Sequence, residues 1–187
     1  MPDMVLVTPA AAHLDSYVQA LETGWSPDST RGREAADQQL ALIRTDPAAF
    51  LASLDDPEAR GAPVELPDGS TVPRLPGVIR WMWDGAFCGM IGFRWQAGTA
   101  ELPPSCLGHI GYNVVPWKRG QGHATRALSM MLGEARRLGM PWVELTTTPD
   151  NASSRYVIEA NDGRLVERFE KLPAYGGGEA LRFRIDL

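Results

Sequence analysis

At 187 residues, 44% of them hydrophobic, the chain is long and apolar enough to enclose one domain core, which excludes a disordered tail. Its 18 Lys and Arg against 23 Asp and Glu leave a formal charge of −5 with no basic block, so neither nucleic acid nor an anionic membrane is expected as a partner. The N-terminus lacks a charged-then-apolar leader and no apolar run reaches ~18 residues, so a soluble, cytoplasmic protein is expected. Cys88 and Cys106 have no metal-ligand spacing. Two free thiols are expected, and a disulfide between them stays open.

Residues 4–7 predict a short strand, stopped by Thr8-Pro9. Residues 10–23 predict a helix with Leu14, Val18 and Leu21 on one stripe and Gly24 as its stop. A polar loop then leads to a second helix over 33–44, and a short one follows over 47–54. Residues 55–77 form a Pro-rich insertion with a turn at Leu66-Pro67-Asp68-Gly69, read as a surface loop, with a lid or small hairpin as the alternative. Residues 78–83 and 86–95, around Asp84-Gly85, predict an antiparallel hairpin packed by Trp81, Trp83, Phe87, Phe93 and Trp95.

Residues 107–115 suit a buried strand, ended by Pro116. Gly120 and Gly122 allow a tight turn, and Ala124, Ala127, Leu128, Met131, Leu132, Ala135 and Leu138 then repeat every three or four residues, as a helix requires. Strand, glycine turn and helix start make an anion site, because the first four helical N–H groups lack internal partners and the macrodipole is positive there. Gly139 and Pro141 end the helix. A strand over 142–147, a helix over 152–160 with Tyr156, Val157 and Ala160 inward, and strands over 164–171 and 180–185 close the chain. The order β-α-α-β-β-β-α-β-α-β-β describes an α/β or mixed α+β domain over 1–187, with helices on both faces of its sheet.

The glycine loop is not a Walker sequence, since no Gly-Lys-Ser/Thr follows, nor G-x-G-x-x-G, since Thr125 stands where the third glycine belongs. Arg119-Gly120-Gln121-Gly122-His123-Ala124 fits R/Q-x-x-G-x-G/A and resembles the pyrophosphate signature of the GNAT superfamily of acetyl-CoA-dependent N-acetyltransferases. Asn151-Ala152-Ser153-Ser154-Arg155-Tyr156-Val157-Ile158-Glu159 resembles the N-x-x-S-x-x-V-I/L-E form of the branch that includes N-terminal-amine acetyltransferases of ribosomal proteins. Leu66-Pro67-Asp68-Gly69, Val72-Pro73 and residues 108–112 resemble a group of GNAT proteins known only as predicted acetyltransferases.

The resemblance implies a central, mixed, mostly antiparallel sheet and acetyl-CoA as cosubstrate, with no metal. It implies that the backbone of Tyr112, Asn113 and Val114 pairs with the pantetheine arm. Arg119, Gly120, Gln121, Gly122, His123, Ala124 and Thr125 would hold the pyrophosphate, and Asn151 would touch the arm. The Tyr that protonates the departing thiolate in the more familiar branch is replaced by Ile158, and Tyr156 does not inherit the role. An acyl-CoA sensor without turnover therefore stays open beside an N-acetyltransferase of small molecules or peptides, and a homodimer is an open expectation.

The acceptor side has to be argued from chemistry. An alkyl ammonium of pKa ~10.4 costs about 4.6 kcal/mol to deprotonate at pH 7, whereas an α-amino group near ~7.7–8.0 costs far less. A base or water relay is called for. His109 on the central strand is the first candidate and Glu144 on the next strand the second; Trp25, Arg94 and Tyr175 are considered for the pocket rim. No His/Cys/carboxylate grouping in the sequence suggests a metal.

Overall fold

A computed structural model describes residues 3–66 and 68–187. In chain order the elements are β1 Val5–Val7, α1 Ala11–Glu22, α2 Arg33–Thr45, α3 Pro47–Ser53, β2 Asp55–Asp56, β3 Val64–Glu65 and β4 Thr71–Val72. There follow β5 Gly77–Trp83, β6 Phe87–Arg94, β7 Ile110–Val114, α4 His123–Arg137, β8 Trp142–Thr147, α5 Ala152–Glu159, β9 Arg164–Glu170 and β10 Glu179–Asp186. Short 3-10 turns lie at Pro116–Lys118 and Pro173–Tyr175.

Local chemistry accounts for most of these boundaries. Asp46 accepts a hydrogen bond from the Ala49 N–H and Pro47 fills the first helical position, so α3 begins where its cap and its proline direct it. In α4 the buried stripe is Ala127, Leu128, Met131, Leu132 and Ala135. The chain leaves α4 through Gly139 at φ 73°, a left-handed residue whose N–H reaches Arg136 O.

The strands form two half-sheets instead of one. The first runs β1-β5-β6-β7, all antiparallel, with β2 added to β5; the second runs β8-β10-β9, also antiparallel. One apolar core lies between the first half-sheet, α4, α5 and the second half-sheet, around Met82, Ile91, Phe93, Leu128, Met131, Leu145, Ile158 and Phe183. The other lies under α1–α3, where Tyr17 stacks on Trp81 at 4.5 Å and meets Trp25, Phe50 and Phe87. Tyr17, an aromatic with a polar tip, gives its hydroxyl to Gln39.

Three expectations are corrected here. In the 55–77 insertion the small hairpin forms in place of a plain loop, from β3 and β4, and Asp55 and Asp56 pair with Val78 and Gly77; the turn expected at Leu66-Pro67-Asp68-Gly69 includes Pro67, which lies outside the described residues. Trp25 is a core residue at 3% exposure, not a rim residue. Tyr156 and Ala160 face out of α5, because Val157 and Ile158 form its buried edge. Cys88 and Cys106 are both free thiols. Among the described residues, no helix is long and apolar enough to cross a membrane.

Gly89 fixes the join between β6 and β7. Its φ is 149°, and a Cβ built there would lie 2.3 Å from Asn113 O and 2.8 Å from Val114 Cα. Gly89→Ala is therefore expected to cost about 3 kcal/mol, through steric overlap with rigid backbone. The urea midpoint measures it, and an unchanged midpoint would refute this close approach.

Candidate active site

The site grows from the way β7 meets its neighbours. Toward β6, Arg94 N–H donates to His109 O and Val115 N–H donates to Cys88 O, while Gly111 pairs with Gly92 and Asn113 with Met90. Odd-numbered residues thus bond to β6, and by antiparallel alternation the N–H and C=O groups of Tyr112 and Val114 point the other way. On that side β8 joins only at the base, where His109 N–H donates to Glu144 O at 2.7 Å. Gly108 permits this contact, since a Cβ there would lie 3.2 Å from Glu144 O. Beyond it β8 pairs with β10 and the two half-sheets part.

A cleft of about 1270 Å³ runs along β7, from the starts of α4 and α5 to the segment between α3 and β5. Tyr112, Asn113, Val114, Arg119, Gly120, Gly122, His123, Ala124, Thr125 and Asn151 all line it; Gln121 does not. Asn113 serves differently from expectation. Its backbone faces β6, and its side-chain amide donates to Ser26 O at 2.8 Å, tying β7 to the loop between α1 and α2. Arg119 donates from Nε to Val114 O at 3.2 Å, holding the end of β7.

At the far end, Gly120 and Gly122 have φ of 73° and 77°, and a Cβ at either would meet no protein atom within 4 Å. No side chain caps α4. Its first backbone bond runs from Arg126 N–H to Gly122 O, so the amides of His123, Ala124 and Thr125 precede the helical ladder and face an open space suited to an anion. Asn161, buried, gives its amide to Thr125 O and Val157 O and so locks α5 against this turn.

Beneath the loop lies a group the sequence did not reveal. Asp84, Cys88 and His123 offer ligand atoms within 4.8 Å of one another. Lys118 Nζ already lies 2.6 Å from Asp84 Oδ2, so an internal cation fills the role a metal would take. Burial opposes ionisation of Asp84, but the Lys118 ammonium and the Cys88 thiol outweigh it and hold the carboxyl below its ordinary value. Burial first, then the Asp84 carboxylate, pushes the Cys88 thiol up to about 12, which keeps it protonated and a poor metal ligand. His123 Nε2 is buried without a hydrogen-bond partner, 3.8 Å from Asp84 Oδ2.

On the opposite wall, Asn151 caps α5 by accepting from the Ser154 N–H at 3.0 Å. The Ser154 hydroxyl lies 2.9 Å from the Tyr112 hydroxyl, and both residues line the cleft. Burial raises the Tyr112 phenol, partly offset by Ser154. No local sequence pattern marks this hydroxyl pair, at the positive end of a helix, because it joins residues 42 apart.

The two candidate bases do not reach the cleft. His109 is wholly buried; its Nδ1 accepts from Glu144 N–H at 2.9 Å and its Nε2 meets Ala100 O at 3.1 Å. Burial pulls its pKa down to about 4, so it is neutral and fully bonded. Glu144 is buried and its carboxylate accepts from Arg184 at 2.7 Å and Arg182 at 3.4 Å, on the face of β8 shared with β10. Tyr175 gives its hydroxyl to Ser105 O at 3.0 Å and does not line the cleft, whereas Arg94 does.

These features define a helix-flanked, split antiparallel sheet with an uncapped helix start after two left-handed glycines at the mouth of its divide. A model of the acetyltransferase (GNAT) domain matches residues 35–164, and the chain belongs to that family. It is thus an acyltransferase by family. Among solved structures, the microcin C7 self-immunity acetyltransferase MccE, in complex with acetyl-CoA and AMP, is similar at TM-score 0.66 and 12% identity, covering 100% of this chain and 94% of that one. The ribosomal-protein α-N-acetyltransferase RimL in complex with coenzyme A gives TM-score 0.61 and 14% identity over 100% and 96%. RimJ of Mycobacterium smegmatis, in complex with CoA-disulfide, gives 0.63 and 17% over 99% and 82%. At such identities the likeness concerns the fold. No curated protein matches the chain.

Proposed function

We propose that the protein transfers an acetyl group from acetyl-CoA to the primary amine of a small molecule or peptide, by direct attack within a ternary complex. The observation that carries this reading is the unpaired edge of β7, which runs to the two left-handed glycines and open amides at the start of α4. A pantetheine arm carries amides that complete a strand edge, and a pyrophosphate suits a helix start. Tyr112 and Val114 would supply backbone to the arm, with Gly120 to Thr125 around the phosphates and Asn151 beside the arm. The Tyr112–Ser154 hydroxyl pair is the proton source on the wall where the thiolate departs.

Attack by a neutral amine on the thioester carbonyl forms the amide bond and expels the CoA thiolate, which takes a proton as it leaves. The cleft carboxylates are weak bases. Backbone N–H groups of Gly61 and Arg60 hold Asp56 below its ordinary value; burial opposes ionisation of Asp28, but Arg31 and nearby amides outweigh it. The acceptor therefore loses its proton to water, which suits an amine of lowered pKa. Two free thiols fit a reducing cytoplasm.

Thiol release from acetyl-CoA across polyamines, aminoglycosides, amino acids and N-terminal peptides tests this. Saturable release with at least one amine is expected. Tight acetyl-CoA binding with silence across the panel would overturn the reading in favour of a sensor.

A further inference from the structure

The cleft extends beyond β7 onto the face that α1–α3 cover, and there its floor has almost no side chains. Gly92 pairs with Gly111 on β7 and with Ile79 on β5, Gly77 lies two residues before Ile79 and pairs with Arg94, and all three glycines line the cleft. A Cβ on Gly92 would meet nothing closer than 3.8 Å, and one on Gly111 would meet only Arg94 Nη2, at 3.5 Å. The space over Gly92 and Gly111 is therefore open, whereas a Cβ on Gly77 would lie 3.1 Å from Phe93 O, and the Arg94 guanidinium reaches to Gly111. Ile79 and Met90 give this floor apolar walls.

The charges on this part of the cleft can be followed one by one. Asp28 accepts from Arg31 Nε at 3.0 Å and from the amides of Thr30 and Arg31. Asp56 accepts from the amides of Arg60 and Gly61 and lies 3.9 Å from Arg74, whose Nε also donates to Ala62 O at 2.9 Å. Each of these has its partner within the protein. Arg94, exposed at the end of β6, has neither a carboxylate nor a carbonyl partner for its side chain among the described residues, although the fork geometry of a guanidinium matches a carboxylate with two parallel hydrogen bonds.

We propose that the acceptor is an amine that also carries a carboxylate, and that Arg94 binds this carboxylate over the paired Gly92 and Gly111 so that the amine faces β7. The proposal rests on the acetyl-transfer reading above and names its substrate class. Arg94 is a specificity residue; it takes no part in the bond changes.

The test uses matched acceptors on the full chain with acetyl-CoA. One set comprises glycine, β-alanine and 4-aminobutyrate against their primary amides; the other comprises peptides beginning with an acidic residue against the same peptides with the corresponding amide residue. The two arms separate a free amino acid from a peptide as the source of the carboxylate. In one arm the wild type is expected to favour the carboxylate by about 10- to 100-fold in kcat/KM, the effect of one charge-assisted pair. Arg94→Gln should abolish that preference through KM, leaving kcat at saturation and the KM for acetyl-CoA within a few-fold, and Arg94→Lys should restore part of it. Calorimetric binding of the N-acetylated carboxylate product to the CoA-loaded protein should weaken in parallel. Turnover of neutral amines with no carboxylate preference, or a preference that survives Arg94→Gln, would overturn the proposal while the transferase reading stands. No turnover of any amine, together with no binding of the carboxylate product, would overturn both.

Discussion

His109→Ala is expected to destabilise the protein strongly while leaving the chemistry of a folded molecule nearly intact. The imidazole stands where a neighbouring strand would otherwise continue the sheet. Nδ1 takes the Glu144 N–H and Nε2 meets Ala100 O, so the ring splints the point at which the half-sheets separate. Alanine leaves a buried donor and acceptor unmatched and opens a cavity, together costing about 3–5 kcal/mol. His109→Asn, whose side-chain oxygen can still accept from Glu144 N–H, should recover part of this.

The pH dependence has a definite sign. The folded His109 has a pKa of about 4 against an ordinary 6.5, so the unfolded chain binds the extra proton first. Its contribution is fully present above 6.5 and is lost as pH falls from there toward 4, a component on the order of 3 kcal/mol. Urea midpoints between pH 7 and 4 should show that decline in the wild type and a flatter one in His109→Asn. A catalytic base would behave otherwise. Loss of rate by about 10²-fold or more, with stability unchanged, would restore His109 to the reaction.

Gly122→Val should have the largest effect on donor binding. The residue is left-handed at φ 77°, so a β-branched side chain adds backbone strain of about 1–2 kcal/mol. The space it would enter contains no protein atom within 4 Å. The phosphates of a bound ligand are then the group its side chain is expected to meet, and the CoA dissociation constant should rise by about 100-fold while circular dichroism stays native. Calorimetry measures the constant. An affinity within two-fold of wild type would remove the phosphates from this loop.

Sequence alone led far at the glycine loop and less far elsewhere, for a physical reason. Gly120, Gly122 and the stripe from Ala127 to Ala135 act through neighbours in the chain, so spacing reveals both turn and helix. His109 looked catalytic because strand alternation does not show that a ring can turn back and bond to the adjacent strand. Asp84, Lys118 and His123 meet across a hairpin and a helix, Tyr112 and Ser154 across the divide, and no local pattern joins them. In the sequence Arg94 reads only as a rim residue. Its meaning depends on Gly92 and Gly111, paired across two strands, and on which other charges already have partners.

The open edge of β7 has a further consequence. A strand with unmatched backbone groups at the outside of a sheet invites another chain to add to it and is a common start of aggregation. Here the outer positions are held by β1 and β2 on one side and β9 on the other, while the unmatched Tyr112 groups and the Val114 N–H lie in an internal divide between half-sheets. The protein keeps the pairing capacity of a free strand but admits to it only what can enter a cleft. What would be a hazard on the surface becomes, one strand further in, a means of selecting a narrow ligand over another polypeptide.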